Sequence, residues 1–149
     1  DELENKGKHL IQKSKQAKHW NEDQEKRTEN AKRYRQSLEK QLENIRTRQL
    51  ELQPVIKALF ELQNCSQNWN NGAFSTQGYS IETSGESEPT LNQYSKQRTF
   101  RCPDGEERLF EQHVKLRVCN WRIHFLPENP NKAIIVGYIG RHLPTDKYK

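Results

Sequence analysis

Apolar residues return every seven positions through the first third of the chain: Leu3, Leu10, Ala17, Ala31, Leu38, Ile45, Leu52 and Leu59, with one gap at Gln24. No proline interrupts positions 1–53, and the only glycine there is Gly7. Most of the intervening residues are Glu, Lys, Arg and Gln, which favour helix. A sustained seven-residue repeat keeps an apolar seam on one side of a supercoiled helix. A second seam, four residues on, turns apolar only at Leu42 and Ile56. The pattern therefore predicts a coiled-coil helical segment over 1–63, strongest at 31–59 and weakest at 1–28. A helix of about 50 residues is about 75 Å long, too long to lie wholly against a domain built from the rest of the chain. It is expected to pair with a second copy, another protein or a further part of its own chain. A homo-oligomer is the first of these. Pro54 suits the first turn of a new helix. Val55, Ile56, Leu59 and Phe60 then make a short apolar stripe, so 54–64 reads as a kinked continuation or a second helix docked on the following domain.

Residues 64–98 lose this pattern. The runs NCSQNWNNG and TSGESEPT have turn and loop composition. Between them one short strand fits at Tyr79–Glu82, and Trp69, Phe74 and Tyr79 are expected to anchor this polar connector to a sheet.

In the last third the period changes to two. Strands are predicted at Thr99–Cys102 and Arg108–Val118, joined by the turn Pro103-Asp104-Gly105, and at Asn120–Leu126 and Ala133–Leu143. The short connections make neighbours antiparallel, so 99–149 is a small antiparallel β-sheet domain and the chain as a whole is α+β. Alternation places Val114, Leu116 and Val118 with Trp121, Ile123 and Phe125 on a core face. The opposite face collects His113, Lys115, Arg117, Arg122 and His124, with Arg141 and His142 at an adjoining edge and Glu111 as its one carboxylate. Residues 134–139 are apolar on both faces, as in a central strand, with Ile134, Val136 and Tyr138 set against Ile135, Gly137 and Ile139.

Composition sharpens this picture. Hydrophobic residues make up 31% and charged residues 30% of 149, against about 45–50% apolar in ordinary globular domains. One core cannot run through the whole chain. The chain begins at Asp1 and contains no Met, and is expected to be a processed or recombinant piece of something longer. No stretch approaches a membrane span. Three Cys without a CxxC argue against a disulfide framework or structural zinc and favour a reducing, cytoplasmic setting. Net charge is +5, distributed as +3 over 1–53, −1 over 54–100 and +3 over 101–149. An anionic partner is expected, nucleic acid first.

The run from His113 to Pro144 resembles the C-terminal sheet of the RelE/ParE toxin superfamily. The matching motifs are H-x-K-L at His113–Leu116, R-I-x-F at Arg122–Phe125 and I-x-x-H at Ile139–His142. The resemblance implies a RelE-like fold over about 35 residues and a metal-independent endoribonuclease acting on RNA, mostly on the ribosome. In that chemistry the 2′-hydroxyl attacks the adjacent phosphate, which needs a base, an acid and positive charge. His124 and His142 would transfer protons, Arg122 and Arg141 would clamp phosphate, and His113, Lys115 and Arg117 would hold the RNA backbone. His113, His124 and His142 with Cys119 match no familiar ligand spacing, so neither metal nor cofactor is expected. Two other readings use the same residues: a non-catalytic nucleic-acid-binding module, and a protein-interaction module on a coiled-coil stalk.

Overall fold

A computed structural model describes residues 1–46 and 49–148. Helix α1 spans Glu2–Arg46 and α2 spans Gln49–Gln67. Strand β1 (Thr83–Gly85), helix α3 (Glu88–Tyr94) and a single 3-10 turn (Ser95–Arg98) follow. The chain then forms β2 (Thr99–Arg101), β3 (Glu107–Leu109), β4 (Gln112–Leu116), β5 (Trp121–Glu128) and β6 (Ala133–Arg141). The protein is α+β, a long N-terminal helix followed by a small antiparallel sheet. The main sheet has the order β1-β4-β5-β6, and β2 and β3 form a separate antiparallel ribbon.

The seven-residue pattern is shared between two helices with different neighbours. In α2, Val55, Ala58 and Leu62 are buried against Val114, Leu116, Trp121, Ile123, Phe125 and Ile139, with Leu52 and Leu59 at the margin. Burying an aliphatic side chain such as Val55 or Leu62 is worth about 1.5–3 kcal/mol, so α2 belongs to the sheet domain. Leu52 and Leu59 thus complete a core rather than a dimer seam. Pro54 lies inside α2, not at its start. On the same face Phe74 packs edge-on between Trp69 and Phe125, at 5.4 and 5.7 Å between ring centres. These aromatic residues tie down the connector.

The second half of α1 also has an internal partner. Tyr34 Oη donates to the Val136 carbonyl at 2.8 Å. Gln41 donates to the Gly137 carbonyl at 3.4 Å and accepts from the Ile139 N–H at 2.7 Å. Asn30 donates to the Asp104 carbonyl at 3.1 Å. There the chain needs Gly105, whose φ is +88° and whose missing Cβ would lie 2.5 Å from the Asn30 amide. Only the first part of α1 reaches past the domain, with Leu3, Leu10, Ile11 and Trp20 exposed. Leu38 is half-buried, and the Ile45 side chain lies outside the described residues.

Two strand expectations are corrected. The 99–118 hairpin divides: Thr99–Arg101 pairs with Glu107–Leu109, and the chain then enters the main sheet as β4. Phe110, fully buried, marks the break. Strand β4 ends at Leu116, so Val118 sits in the turn before β5 and is 89% exposed instead of facing the core. The second correction comes from a bulge. His124 pairs with Tyr138 but Phe125 pairs with Val136, which leaves Gly137 unmatched. One extra residue reverses the alternation. Ile139 therefore joins Ile134 and Val136 on the α2 face, while Tyr138 stacks on Phe100 on the other.

In the connector, β1 forms at Thr83–Gly85, just beyond the Tyr79–Glu82 expected, and pairs with β4. Helix α3 was not expected at all. Its signal was local: Ser87 stands at the N-cap, and Pro89 occupies the first turn, where its missing N–H costs nothing.

The bulge makes Gly137 a packing position. A Cβ there would meet Phe100 at 2.7 Å and Phe110 at 2.9 Å. Gly137→Ala is expected to lower unfolding free energy by about 1–3 kcal/mol through overpacking, read as an earlier midpoint in urea denaturation.

Candidate functional site

The β4–β5 register sets His113 opposite His124 and Lys115 opposite Arg122, so these four share one face. It is not the open basic face expected. Its inner half is covered by the β2–β3 ribbon and by the segment between β1 and β2. His113 is 6% and His124 1% exposed. The two rings lie 5.2 Å apart. His124 Nδ1 donates to the Phe110 carbonyl at 3.2 Å, and the Phe100 and Tyr138 rings pack around it. His113 Nε2 is 3.1 Å from Ser84 Oγ, and its Nδ1 is 3.4 Å from Glu86 Oε1. Glu86 Oε1 also lies 2.8 Å from Nε of Arg98. Arg98 is wholly buried and donates to the Pro144 carbonyl at 2.8 Å.

Loss of water is the main reason both imidazoles are hard to protonate. Burial, then the Arg122 charge, lowers His113 to about 4. Burial lowers His124 to about 4 against the opposing pull of the Phe110 carbonyl. Both rings are neutral at pH 7. His124 is thereby removed as a proton-transfer group for a bound RNA, and His113 as a contact to an RNA backbone, because neither reaches the open surface.

Towards the outer edge, Lys115 and Arg117 are paired with one carboxylate. Arg117 Nε and Nη2 each lie 2.5 Å from a Glu82 oxygen, and Lys115 Nζ is 3.5 Å away. The Arg117 hydrogen bonds hold the Glu82 carboxyl at about 2. The expected run of positive side chains is therefore broken by Glu82, which enters from the residue before β1. Glu111, the carboxylate expected on this face, is exposed.

What stays accessible lies where β6 ends. A cleft of about 420 Å³ is lined by Asn120, Arg122, His142, Leu143, Pro144 and Tyr148. Arg122 Nη1 donates to the Trp121 carbonyl at 2.9 Å, while its Nε is buried without an acceptor. Among the described residues no carboxylate pairs with Arg122. The His142 ring meets Tyr148 edge-on, and burial pushes its pKa below the usual imidazole value. A second cleft, of about 430 Å³, adjoins at Asn120 and His142 and adds Glu51, Cys119, Trp121 and Arg141. Asn120 holds the corner between them, with φ of +54° and its carbonyl accepting from the His142 N–H at 3.2 Å.

Of the seven residues expected at a site, the structure brings Arg122, Arg141 and His142 to these joined clefts. Sequence reasoning missed Glu51, Asn120 and Tyr148 there, and Glu82, Glu86 and Arg98 beneath the ribbon. Glu82 was legible in part: a strand at its position beside β4 would set its carboxylate against Lys115 and Arg117. No protein-family model matches the chain, and no curated protein or solved structure is significantly similar to it.

The two buried imidazoles give the fold a pH dependence of definite sign. An unfolded histidine titrates near 6.5 and these near 4, so the unfolded chain binds more protons between those values. Their contribution is complete above about pH 6.5 and is lost as pH falls towards 4, at most roughly 3 kcal/mol for each ring. Urea denaturation in EDTA at pH 7.5, 6 and 5 is expected to show a falling midpoint, and His124→Gln is expected to flatten that fall.

Proposed function

We propose that the protein is an RNA-binding module that holds backbone phosphates in the joined clefts at the end of β6 and assembles through the free part of α1. The observation that carries this reading is Arg122. Its guanidinium lines an open cleft, has no carboxylate partner among the described residues and keeps one buried donor without an acceptor. A phosphate oxygen in the cleft would accept from the cleft-facing guanidinium N–H groups, and guanidinium suits two-point recognition of it. His142 and Asn120 line the same cleft, Arg141 flanks it, and Tyr148 offers a ring for stacking on a base. No described helix is long and apolar enough to cross a membrane. The three free thiols suit a reducing, cytoplasmic setting.

Fluorescence anisotropy with a labelled single-stranded RNA tests the binding. Arg122→Ala and His142→Ala are each expected to weaken it. For Arg122→Ala the slope of log affinity against log salt should shrink by about 0.7, as for one lost phosphate contact on a single strand. Unchanged affinity in both variants, with far-UV circular dichroism intact, overturns the reading.

The metal-independent endoribonuclease implied by the RelE/ParE resemblance is a second reading, favoured by one observation. Glu51, whose Oε2 is buried without a partner, shares a cleft with His142 and Arg141. A carboxylate and an imidazole there would serve as base and acid, with Arg122 and Arg141 carrying phosphate charge. Cleavage in EDTA leaving 2′,3′-cyclic phosphate ends, abolished by His142→Ala or Glu51→Gln, would select it over simple binding.

For assembly, Leu3, Leu10, Ile11 and Trp20 are 78%, 66%, 59% and 63% exposed on the part of α1 that leaves the domain. A second copy of α1 would cover them. Sedimentation equilibrium is expected to give a dimer or larger at micromolar concentration, and Leu10→Asp to dissociate it, since a charge in a dry seam is costly. A monomer throughout that range counts against this part of the reading and leaves the RNA cleft standing.

A further inference from the structure

We propose that Glu86, His113 and His124 form a closed site for one divalent transition-metal ion of the zinc class, placed beneath the β2–β3 ribbon. One donor atom from each residue lies within 4.8 Å of the other two. The hydrogen bonds decide which atoms face the ion. His124 gives its Nδ1 proton to the Phe110 carbonyl at 3.2 Å, which leaves the Nε2 lone pair free. His113 engages Ser84 Oγ through Nε2 at 3.1 Å, which leaves Nδ1 towards Glu86 Oε1 at 3.4 Å. That Nδ1 is buried and meets no hydrogen-bond partner, on a side chain only 8% exposed. Ligating histidines show this division of labour: one ring nitrogen is fixed by a carbonyl or hydroxyl, and the other turns to the metal.

The donor set points to the class of ion. Two imidazole nitrogens and one carboxylate suit zinc and its neighbours, whereas calcium and magnesium take oxygen ligands. Zinc–nitrogen bonds of about 2.0–2.1 Å place tetrahedral donors about 3.3 Å apart. The widest donor separation must then close by at most about 1.5 Å on loading. Glu86 is the ligand placed to move, since it lies in the short segment between β1 and α3 while both histidines are fixed in paired strands. Arg98 sets the limit on affinity. Its guanidinium stands 2.8 Å from Glu86 Oε1, so the carboxylate serves two cations and the site is weaker than an all-neutral cage. Because both histidines are sealed, the ion is structural and pins the 83–98 segment to the sheet.

The test uses the metal-stripped 149-residue chain titrated with Co²⁺ and then Zn²⁺. One equivalent of Co²⁺ is expected to bind with the visible absorption of a low-coordinate cobalt site, and Zn²⁺ to displace it and raise the melting temperature. Glu86→Gln and His113→Asn are each expected to lower affinity by at least about tenfold. The double variant His9→Ala/His19→Ala is expected to bind as wild type, because those histidines are exposed on α1. Uptake by wild type below about a tenth of an equivalent at about 100 μM Co²⁺ overturns the proposal. Loss of the cobalt absorption in the His9→Ala/His19→Ala variant overturns it as well. These two outcomes decide the matter even where Glu86→Gln or His113→Asn fails to fold. Neither involves RNA, so the metal site and the cleft stand or fall separately.

Discussion

The unmatched residue in β6 sets the arrangement of this domain. Without Gly137 the alternation of β6 would carry Ile139 away from α2 and turn Val136 or Tyr138 to the wrong layer. With it, Ile134, Val136 and Ile139 all reach the α2 core, and Tyr138 reaches the ribbon. A bulge costs pairing locally and increases twist. Here it lets an edge strand serve two cores that are out of phase. The same position must lack a side chain, because Phe100 and Phe110 already fill the space above it.

Two layers follow, with opposite chemistry. The α2 layer is apolar, aliphatic residues of α2 and β6 packing on Trp121, Phe125 and Phe74. The ribbon layer is mixed: Cys102, Phe110 and Ile135 surround a polar nucleus of His113, His124, Glu86 and Arg98. A buried carboxylate–guanidinium pair recovers its desolvation cost only when its remaining donors and acceptors are met. Arg98 meets this condition in part, through Pro144 and Tyr94 carbonyls, and in doing so draws the C-terminal tail over the sheet. That tail contributes Leu143, Pro144 and Tyr148 to the cleft beside Arg122. The polar nucleus thus shapes the accessible site without touching it.

The fold class was legible because its signals are periodic and long. Helix α1, Glu2–Arg46, follows from helix-forming residues uninterrupted by proline, and β5 from the strict alternation of Trp121, Ile123 and Phe125. The ribbon layer was not legible, because alternation says which side chains share a face but not what covers that face. His113 and His124 look solvated when read beside Lys115 and Arg122, and only the fold of 83–110 over them shows otherwise. The bulge was hidden for a similar reason: with apolar residues on both sides from 134 to 139, a one-residue shift leaves no mark. Arg98 was the least legible of all, since an isolated arginine after a polar run reads as surface. For the site, Arg122, Arg141 and His142 were found by residue type, but Glu51 comes from a helix some 90 positions away in the chain and carries no local signal.

Helix α1 does something a stalk does not. Strand β6 is the long edge of the main sheet, and an uncovered edge offers its N–H and C=O groups to any passing strand. Tyr34 and Gln41 occupy those groups at Val136, Gly137 and Ile139. The side chains of a helix thus take the place of a fifth strand. At the opposite edge β1 is only three residues long. Proteolytic loss of α1 would therefore leave a nine-residue strand open to intermolecular pairing, and the same sheet would become a nucleus for cross-strand aggregation.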